Sequence, residues 1–128
     1  MASNPLSVIL PIPVGMNGTG SRRGAYAIAA VRGVPRLVTS AAARQWKHDA
    51  VLLVQLTAWQ EGWTVPDGRL RLVVLRNDKH DLDSGIKLLC DSVALGLGIN
   101  DRRFHQMSVT KAASCKPDCL LVIVEGMD

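Results

Sequence analysis

The chain has 128 residues, of which 48% are hydrophobic and 20% are charged, and it carries a formal net charge of +4. This length is typical of one domain, and this composition excludes an intrinsically disordered chain. No run approaches the roughly 20 apolar residues of a membrane span, and the N-terminus lacks the pattern of a signal peptide. The sequence therefore predicts a single domain over residues 1–128 in a cytoplasmic protein, with no membrane partner.

The N-terminal third contains three short β-rich runs. The first extends from Leu6 to Ile12, is interrupted by Pro11 and Pro13, and leads into a glycine-rich loop. The runs AYAIAAV and PRLVT, with Arg32 and Gly33 in the segment between them, predict a hairpin.

A helix is predicted over residues 41–60, which contain no glycine or proline. Ser40 stands at the expected N-cap, and the helix should end at Gly62. After the turn at residues 66–68, the run RLRLVVLR alternates basic and apolar residues before becoming continuously apolar, which is typical of a strand with a buried face.

The C-terminal half predicts one more helix and two more strands. Apolar residues at helical spacing indicate an amphipathic helix from about Leu82 to Leu95, ended by Gly96 and Gly98. The runs FHQMSVT and CLLVIVEGM follow as strands. The predicted fold is α+β, a single domain with a mixed sheet of about six strands and two main helices.

Three cysteines are present, and two of them, Cys115 and Cys119, form the motif CKPDC. Such a pair could be half of a metal clip, a disulfide, or two reduced thiols. A zinc site would need a second pair of ligands, which the sequence does not offer at ligand spacing. Reduced thiols in a segment that leads from a loop into a strand are the favoured interpretation.

Residues 78–91, DKHDLDSGIKLLCD, concentrate carboxylates in a basic protein. Helix capping accounts for one of Asp81 and Asp83 but not readily for both. A solvated salt-bridge ladder is a second structural interpretation, because Asp83, Lys87 and Asp91 are spaced four apart. The functional interpretation is a carboxylate cluster that binds a hard divalent cation beside a lysine that contacts a phosphate. The glycine and glutamate that an EF-hand calcium loop requires are absent.

The order HDLDSGIKLLCDSV followed by INDRRF closely resembles the metal-binding signature of the RusA-type Holliday junction resolvases. LPIPVGMN and TSAAARQWKHDAV resemble the N-terminal strand and the first helix of that family, so the resemblance covers most of the chain. The sequence departs from the family pattern at Ser84, Gly85 and Asn100.

The resemblance implies a RusA-like fold and a magnesium-dependent endonuclease that resolves four-way DNA junctions by paired symmetric nicks, acting as a homodimer. It implies that Asp81, Asp83 and Asp101 hold Mg²⁺, for which Mn²⁺ could substitute. Lys87 is expected to support the scissile phosphate or the attacking water. Asp91 is expected to lie behind the metal ligands and to hold Lys87.

Polar and basic residues around the acidic segment are expected to contact DNA. The predicted DNA-binding residues are Asn17, Arg22, Arg23, Arg76, Lys79, Arg102 and Arg103. The alternative is a junction-DNA-binding protein of the same fold that has lost productive metal geometry through the three departures. A third interpretation is a small α+β scaffold with no role in nucleic-acid binding.

Overall fold

The computed structural model describes residues 4–13, 26–31 and 34–128 of the chain. The described residues form six strands, two α-helices and one short 3-10 helix. In chain order these are β1 (Leu6–Pro11), β2 (Tyr26–Val31), β3 (Val34–Thr39), α1 (Ala41–Gln60), β4 (Leu70–Arg76), α2 (Ile86–Leu97), the 3-10 helix (Asp101–Arg103), β5 (Phe104–Lys111) and β6 (Cys119–Gly126).

Four of these strands form a mixed sheet in the order β1-β6-β4-β5. β4 and β5 are parallel and are joined by α2, whereas β6 is antiparallel to both of its neighbours. Among the described residues, β2 and β3 pair only with each other, as an antiparallel hairpin. The α+β class is therefore confirmed, but the single sheet of about six strands is wrong, because strand propensity does not specify the partner of a strand.

One face of the four-stranded sheet packs against the two helices. Side chains of β1, β4 and β6 alternate between this face and the opposite one, as the period of a strand requires. The buried core consists mainly of Leu6, Val8, Leu10, Ala43, Trp46, Ala50, Val54, Leu70, Leu72, Val74, Ile86, Leu88, Leu89, Val93, Leu120, Val122 and Val124.

Helix α1 has the predicted bounds. The Ser40 hydroxyl accepts a hydrogen bond from the backbone N–H of Ala43 at 3.1 Å, which satisfies one of the free N–H groups of the first turn. The Trp46 indole N–H donates to the carbonyl of Pro11 at 3.2 Å and so attaches α1 to β1. Neither helix in the described residues has both the length and the apolar character needed to cross a bilayer.

Helix α2 begins later and ends later than the apolar spacing predicts. Gly85 has a left-handed backbone with φ of 74°, which interrupts a helix that would otherwise begin near Leu82. At the other end α2 passes through Gly96 and stops at Gly98, whose φ is 69°. A Cβ atom on Gly96 would lie 2.9 Å from the Val54 side chain, so this glycine allows close packing of α1 and α2 rather than ending the helix.

Candidate functional site

A buried ion pair supports the acidic segment. Arg76 ends β4 in the inward-facing register of that strand and is fully buried. Its Nε and Nη2 atoms each donate to the Asp78 carboxylate at 2.6 Å. Its Nη1 atom donates to the backbone carbonyls of Leu82 and Ser84 at 3.1 and 2.8 Å. One guanidinium thereby fixes three positions in the segment from residue 77 to residue 85, which we term the acidic loop.

A second cation holds the same loop from β5. The Lys111 ammonium donates to the backbone carbonyls of Asp78 and His80, the latter at 2.6 Å. It also lies 3.9 Å from the Asp78 carboxylate. Four carbonyls of the acidic loop, at residues 78, 80, 82 and 84, are therefore bound by Arg76 or Lys111. Because these two side chains extend from neighbouring parallel strands, the sheet itself positions the loop.

The charge of Asp78 stabilises this frame and is not available to a ligand. The Arg76 guanidinium lowers the pKa of the Asp78 carboxyl to about 2, chiefly through its hydrogen bonds, although burial acts in the opposite direction. The prediction that Arg76 contacts DNA is wrong, because Arg76 is buried and bonded to Asp78. A fully buried guanidinium that is paired with a carboxylate cannot reach a backbone phosphate.

Asp81 and Asp83 lie exposed on the acidic loop and do not cap α2. The N-cap of α2 is Gly85, which makes no side-chain hydrogen bond. The two aspartates contribute backbone carbonyls to the turn instead, accepting from the N–H groups of Ser84 and Ile86 at 3.0 and 3.2 Å. Their carboxylates are therefore displayed on a fixed backbone without serving the helix.

The predicted salt-bridge ladder does not form. Within the described part of the chain, no hydrogen bond or salt bridge joins the exposed Lys87 to Asp83 or Asp91. The left-handed turn at Gly85 places Asp83 outside α2, so the spacing of four residues no longer puts it above Lys87 on one helical face.

Asp91 and Asp101 line the same groove, which is not predicted from the sequence. The groove has a volume of about 300 Å³ and lies between α1, α2 and the residues that lead into the 3-10 helix. Its polar lining consists of Lys47, Asp91, Asn100 and Asp101. The Asn100 side-chain oxygen accepts from the N–H of Arg102 at 2.9 Å, which caps the 3-10 helix and fixes the backbone next to Asp101.

The negative charge of this groove affects the pKa of a neighbouring thiol, Cys90. The pKa of Cys90 is raised to about 11, first by burial and then by the carboxylates of Asp91 and Asp101, while Lys87 acts in the opposite direction. Both carboxylates are therefore close enough to disfavour a further negative charge on α2. A cation in the groove would experience the opposite effect.

The three predicted magnesium ligands, Asp81, Asp83 and Asp101, do not lie together within the chain. Asp81 and Asp83 precede α2 and Asp101 follows it, and a helix of 12 residues is about 18 Å long. Across residues 4–13, 26–31 and 34–128, no three side chains of the His, Cys, Asp and Glu types are placed so that they could hold one metal ion. Asp101 instead shares its groove with Asp91, to which the sequence analysis gives only a supporting role.

The predicted DNA-binding residues have different positions. Lys79 and Arg102 are exposed. The Arg103 guanidinium donates to the backbone carbonyls of Pro66 and Gly68, the latter at 2.7 Å, and so holds the turn before β4. Asn17, Arg22 and Arg23 lie outside the described residues.

Arg76 was predicted to bind DNA rather than to support the loop, and Asp78, Lys111 and Lys47 were not predicted to have a role. A signal for Arg76 exists, because it continues the every-second-residue pattern of buried positions in β4. No comparable signal exists for Lys47, which lines the groove with Asp101 only because α1 packs against α2.

The groove offers oxygen donors, which is the type of ligand that magnesium prefers. Mg²⁺ prefers oxygen ligands, keeps several of its waters and is commonly held by one or two carboxylates together with substrate phosphates. Asp91 and Asp101 supply two carboxylates in one groove, so a third protein carboxylate is not required.

Comparisons with known proteins do not give the chain a family. No family model matches the sequence, and no curated protein matches it. A 2C-methyl-D-erythritol 2,4-cyclodiphosphate synthase from Plasmodium vivax is 11% identical with a TM-score of 0.36, over 94% of this chain and 92% of that chain. A likeness at this level carries no argument about function. The prediction that the chain is a RusA-type resolvase is wrong by these comparisons, because no family model and no curated protein match the chain.

Proposed function

We propose that the protein is a magnesium-dependent endonuclease that acts on DNA and nicks four-way junctions. The observation that carries this proposal is the pair of carboxylates, Asp91 and Asp101, in a groove that also contains Lys47. Carboxylates that bind a metal beside lysines that bind phosphate are the chemical requirements of phosphodiester hydrolysis.

Each side chain has a defined part in the proposed reaction. Asp91 and Asp101 would hold Mg²⁺ or Mn²⁺, which supplies an activated water and offsets charge on the phosphoryl oxygens. Lys47 in the groove and Lys87 on the exposed side of α2 bind non-bridging phosphate oxygens. Hydrolysis adds a hydroxyl group to phosphorus and a proton to the leaving sugar oxygen, so one P–O bond forms and one breaks.

Asp81 and Asp83 provide a second acidic position beyond the N-terminal end of α2. Their carboxylates are exposed, and their backbone is held by Arg76 through the carbonyls of Leu82 and Ser84. A phosphate can approach two such carboxylates only with a cation between them. We therefore include Asp81 and Asp83 as a second position that would hold magnesium and so offset the charge of an approaching phosphate.

Charge supports a polyanionic substrate. A net charge of +4, together with exposed Lys79 and Arg102, suits a polyanion. A four-way junction has two equivalent strands to cut, so paired nicks require two active sites. We include a homodimer in the proposal for that reason.

A junction-binding protein without catalytic activity is the second candidate function. The specific observation that favours it is the separation of Asp81 and Asp83 from Asp101 by the length of α2. A protein of this kind would retain the basic surface and the phosphate-binding lysines, but it would lack a complete metal site.

A cleavage assay separates the two candidates. Purified protein is incubated with a synthetic four-way junction in which one strand at a time is labelled. The endonuclease proposal predicts nicks in two opposite strands with Mg²⁺, none with a chelator, and little cutting of a linear duplex of the same sequence. Salt-sensitive junction binding without nicking in Mg²⁺ or Mn²⁺ would support the binding protein instead. Absence of both activities would eliminate both candidates.

A further inference from the structure

Cys115 and Cys119 line the same surface pocket. Cys115 lies at the end of a turn in which its N–H donates to the carbonyl of Ala112 at 3.0 Å, and Cys119 begins β6 opposite Pro11 of β1. Both side chains are half-buried free thiols. They line one pocket of about 240 Å³ together with apolar side chains that include Ile9 and Leu121.

The surroundings of the two thiols differ from those of the third cysteine. Partial burial and the Asp118 carboxylate raise the pKa of Cys119, while Lys116 acts in the opposite direction and Cys115 itself is close enough to contribute. Cys90, by contrast, lies on α2 with a pKa raised to about 11, so it remains a protonated thiol at neutral pH.

We propose that Cys115 and Cys119 form a redox-active dithiol, which a low-molecular-weight disulfide converts into an intramolecular disulfide. The thiolate of Cys115 attacks one sulfur of the small disulfide, whose S–S bond breaks and releases one small thiolate. The thiolate of Cys119 then attacks the Cys115 sulfur of this mixed disulfide and expels the second small thiolate. Two protein thiols are oxidised and one small disulfide is reduced to two thiols.

The pair is connected to the acidic loop through backbone groups. The Asn77 side-chain amide donates to the carbonyl of Cys115 at 3.1 Å, and the N–H of Ala112 donates to the carbonyl of Arg76 at 2.8 Å. Closing a disulfide constrains the backbone of Cys115, so oxidation acts directly on the segment to which the first residue of the acidic loop is bonded. The dithiol itself does not depend on the proposed nuclease function.

Incubation of the folded protein with glutathione disulfide, followed by thiol blocking and tryptic mass spectrometry, tests the proposal. Cys115 and Cys119 fall in one tryptic peptide, residues 112–128, because the bond before Pro117 resists trypsin. We expect this peptide to lose the mass of two hydrogen atoms, faster at pH 8.5 than at pH 7, because the pKa of Cys119 is raised and its thiolate must form in the second step.

Two variants make the result specific. Cys90→Ser should close the disulfide at the wild-type rate, and Cys119→Ser should stop at a glutathione adduct on Cys115. A wild-type peptide that remains fully reduced, or that accumulates only the glutathione adduct, would overturn the proposal. Preferential modification of Cys90 would overturn it as well.

Discussion

Arg76 and Asp78 show how a single buried pair can determine the shape of an exposed acidic loop. A buried ion pair offsets its desolvation only when its hydrogen bonds are complete, and here the guanidinium is bonded both to the carboxylate and to two loop carbonyls. Removing one partner leaves an uncompensated charge in the core.

We predict that Asp78→Asn destabilises the protein by about 3 to 5 kcal/mol, because Arg76 would keep its buried charge without a carboxylate. Chemical denaturation measures this loss. Asp118→Asn, at an exposed position in the turn before β6, is the matched control and should change stability by less than about 0.5 kcal/mol. Equal stability of the two variants would mean that the pair does not support the loop.

The same pair predicts a dependence of stability on pH. The pKa of Asp78 is about 2 in the folded protein, below the ordinary value of 3.8, so its contribution is fully present above about pH 4 and is lost as pH falls towards 2. The stability difference between the wild type and Asp78→Asn should therefore shrink over this range. Denaturation curves at successive pH values measure it, and a constant difference would exclude Asp78 as the titrating group.

Residue-level prediction from the sequence succeeded where a local pattern exists. Ser40 caps α1 as predicted, because a capping residue and the helix that it precedes are adjacent in the chain. The groove of Asp91 and Asp101 could not be predicted, because Lys47 is more than forty residues away in the chain and joins it only by tertiary packing.

The two helices show why element boundaries differ in predictability. Helix α1 has a capping serine and no internal glycine, so its bounds follow from the sequence. Around α2, three glycines occur, and the sequence does not reveal which of them is left-handed. Gly85 and Gly98 are left-handed and delimit the helix, whereas Gly96 is helical and lies against α1.

We predict that Gly96→Ala costs about 1 to 3 kcal/mol, because its Cβ atom would lie 2.9 Å from the Val54 side chain. Shortening Val54 to alanine should relieve the clash. The double variant Gly96→Ala, Val54→Ala should therefore lose less unfolding free energy than the sum of the losses of the two single variants. Gly98→Ala is the control, since its Cβ would meet open space and only the backbone strain would remain. Simple additivity of Gly96→Ala and Val54→Ala would contradict the packing role.

Strand prediction was similarly limited to local features. All six runs predicted as strands are strands, because their composition and turn residues are local signals. Their pairing is not local, and this is why the β2-β3 hairpin was wrongly placed in one sheet with the others.

At the scale of the whole molecule, α1 presents an apolar surface to solvent. Leu52, Leu56 and Trp59 recur at helical spacing on the side away from the core, with exposed fractions of 51%, 49% and 79%. Tryptophan is enriched among the residues that dominate protein interfaces, and a stripe on one helix can pair with itself about a two-fold axis. This surface is our choice for the proposed dimer.

We predict that light scattering at micromolar concentration gives the mass of a dimer and that Leu56→Lys converts it to a monomer without unfolding it. Ile9→Lys is the control, because Ile9 is 65% exposed on the sheet face away from the helices. A monomeric wild-type protein would exclude the dimer. If Ile9→Lys were a monomer and Leu56→Lys a dimer, the interface would lie on the sheet and not on α1.

In the proposed reaction, the Asp91 and Asp101 carboxylates hold the magnesium that supports phosphodiester hydrolysis. The most direct measurement is the single-turnover rate of junction nicking by Asp91→Asn and Asp101→Asn, with Asp118→Asn as the exposed control. We predict that each groove variant loses about 100-fold or more in rate, whereas the control keeps the wild-type rate. Both groove variants should bind the junction in magnesium-free buffer at least as tightly as the wild type, because a carboxylate repels phosphate when no cation lies between them. Wild-type nicking rates in both Asp91→Asn and Asp101→Asn would contradict the claim.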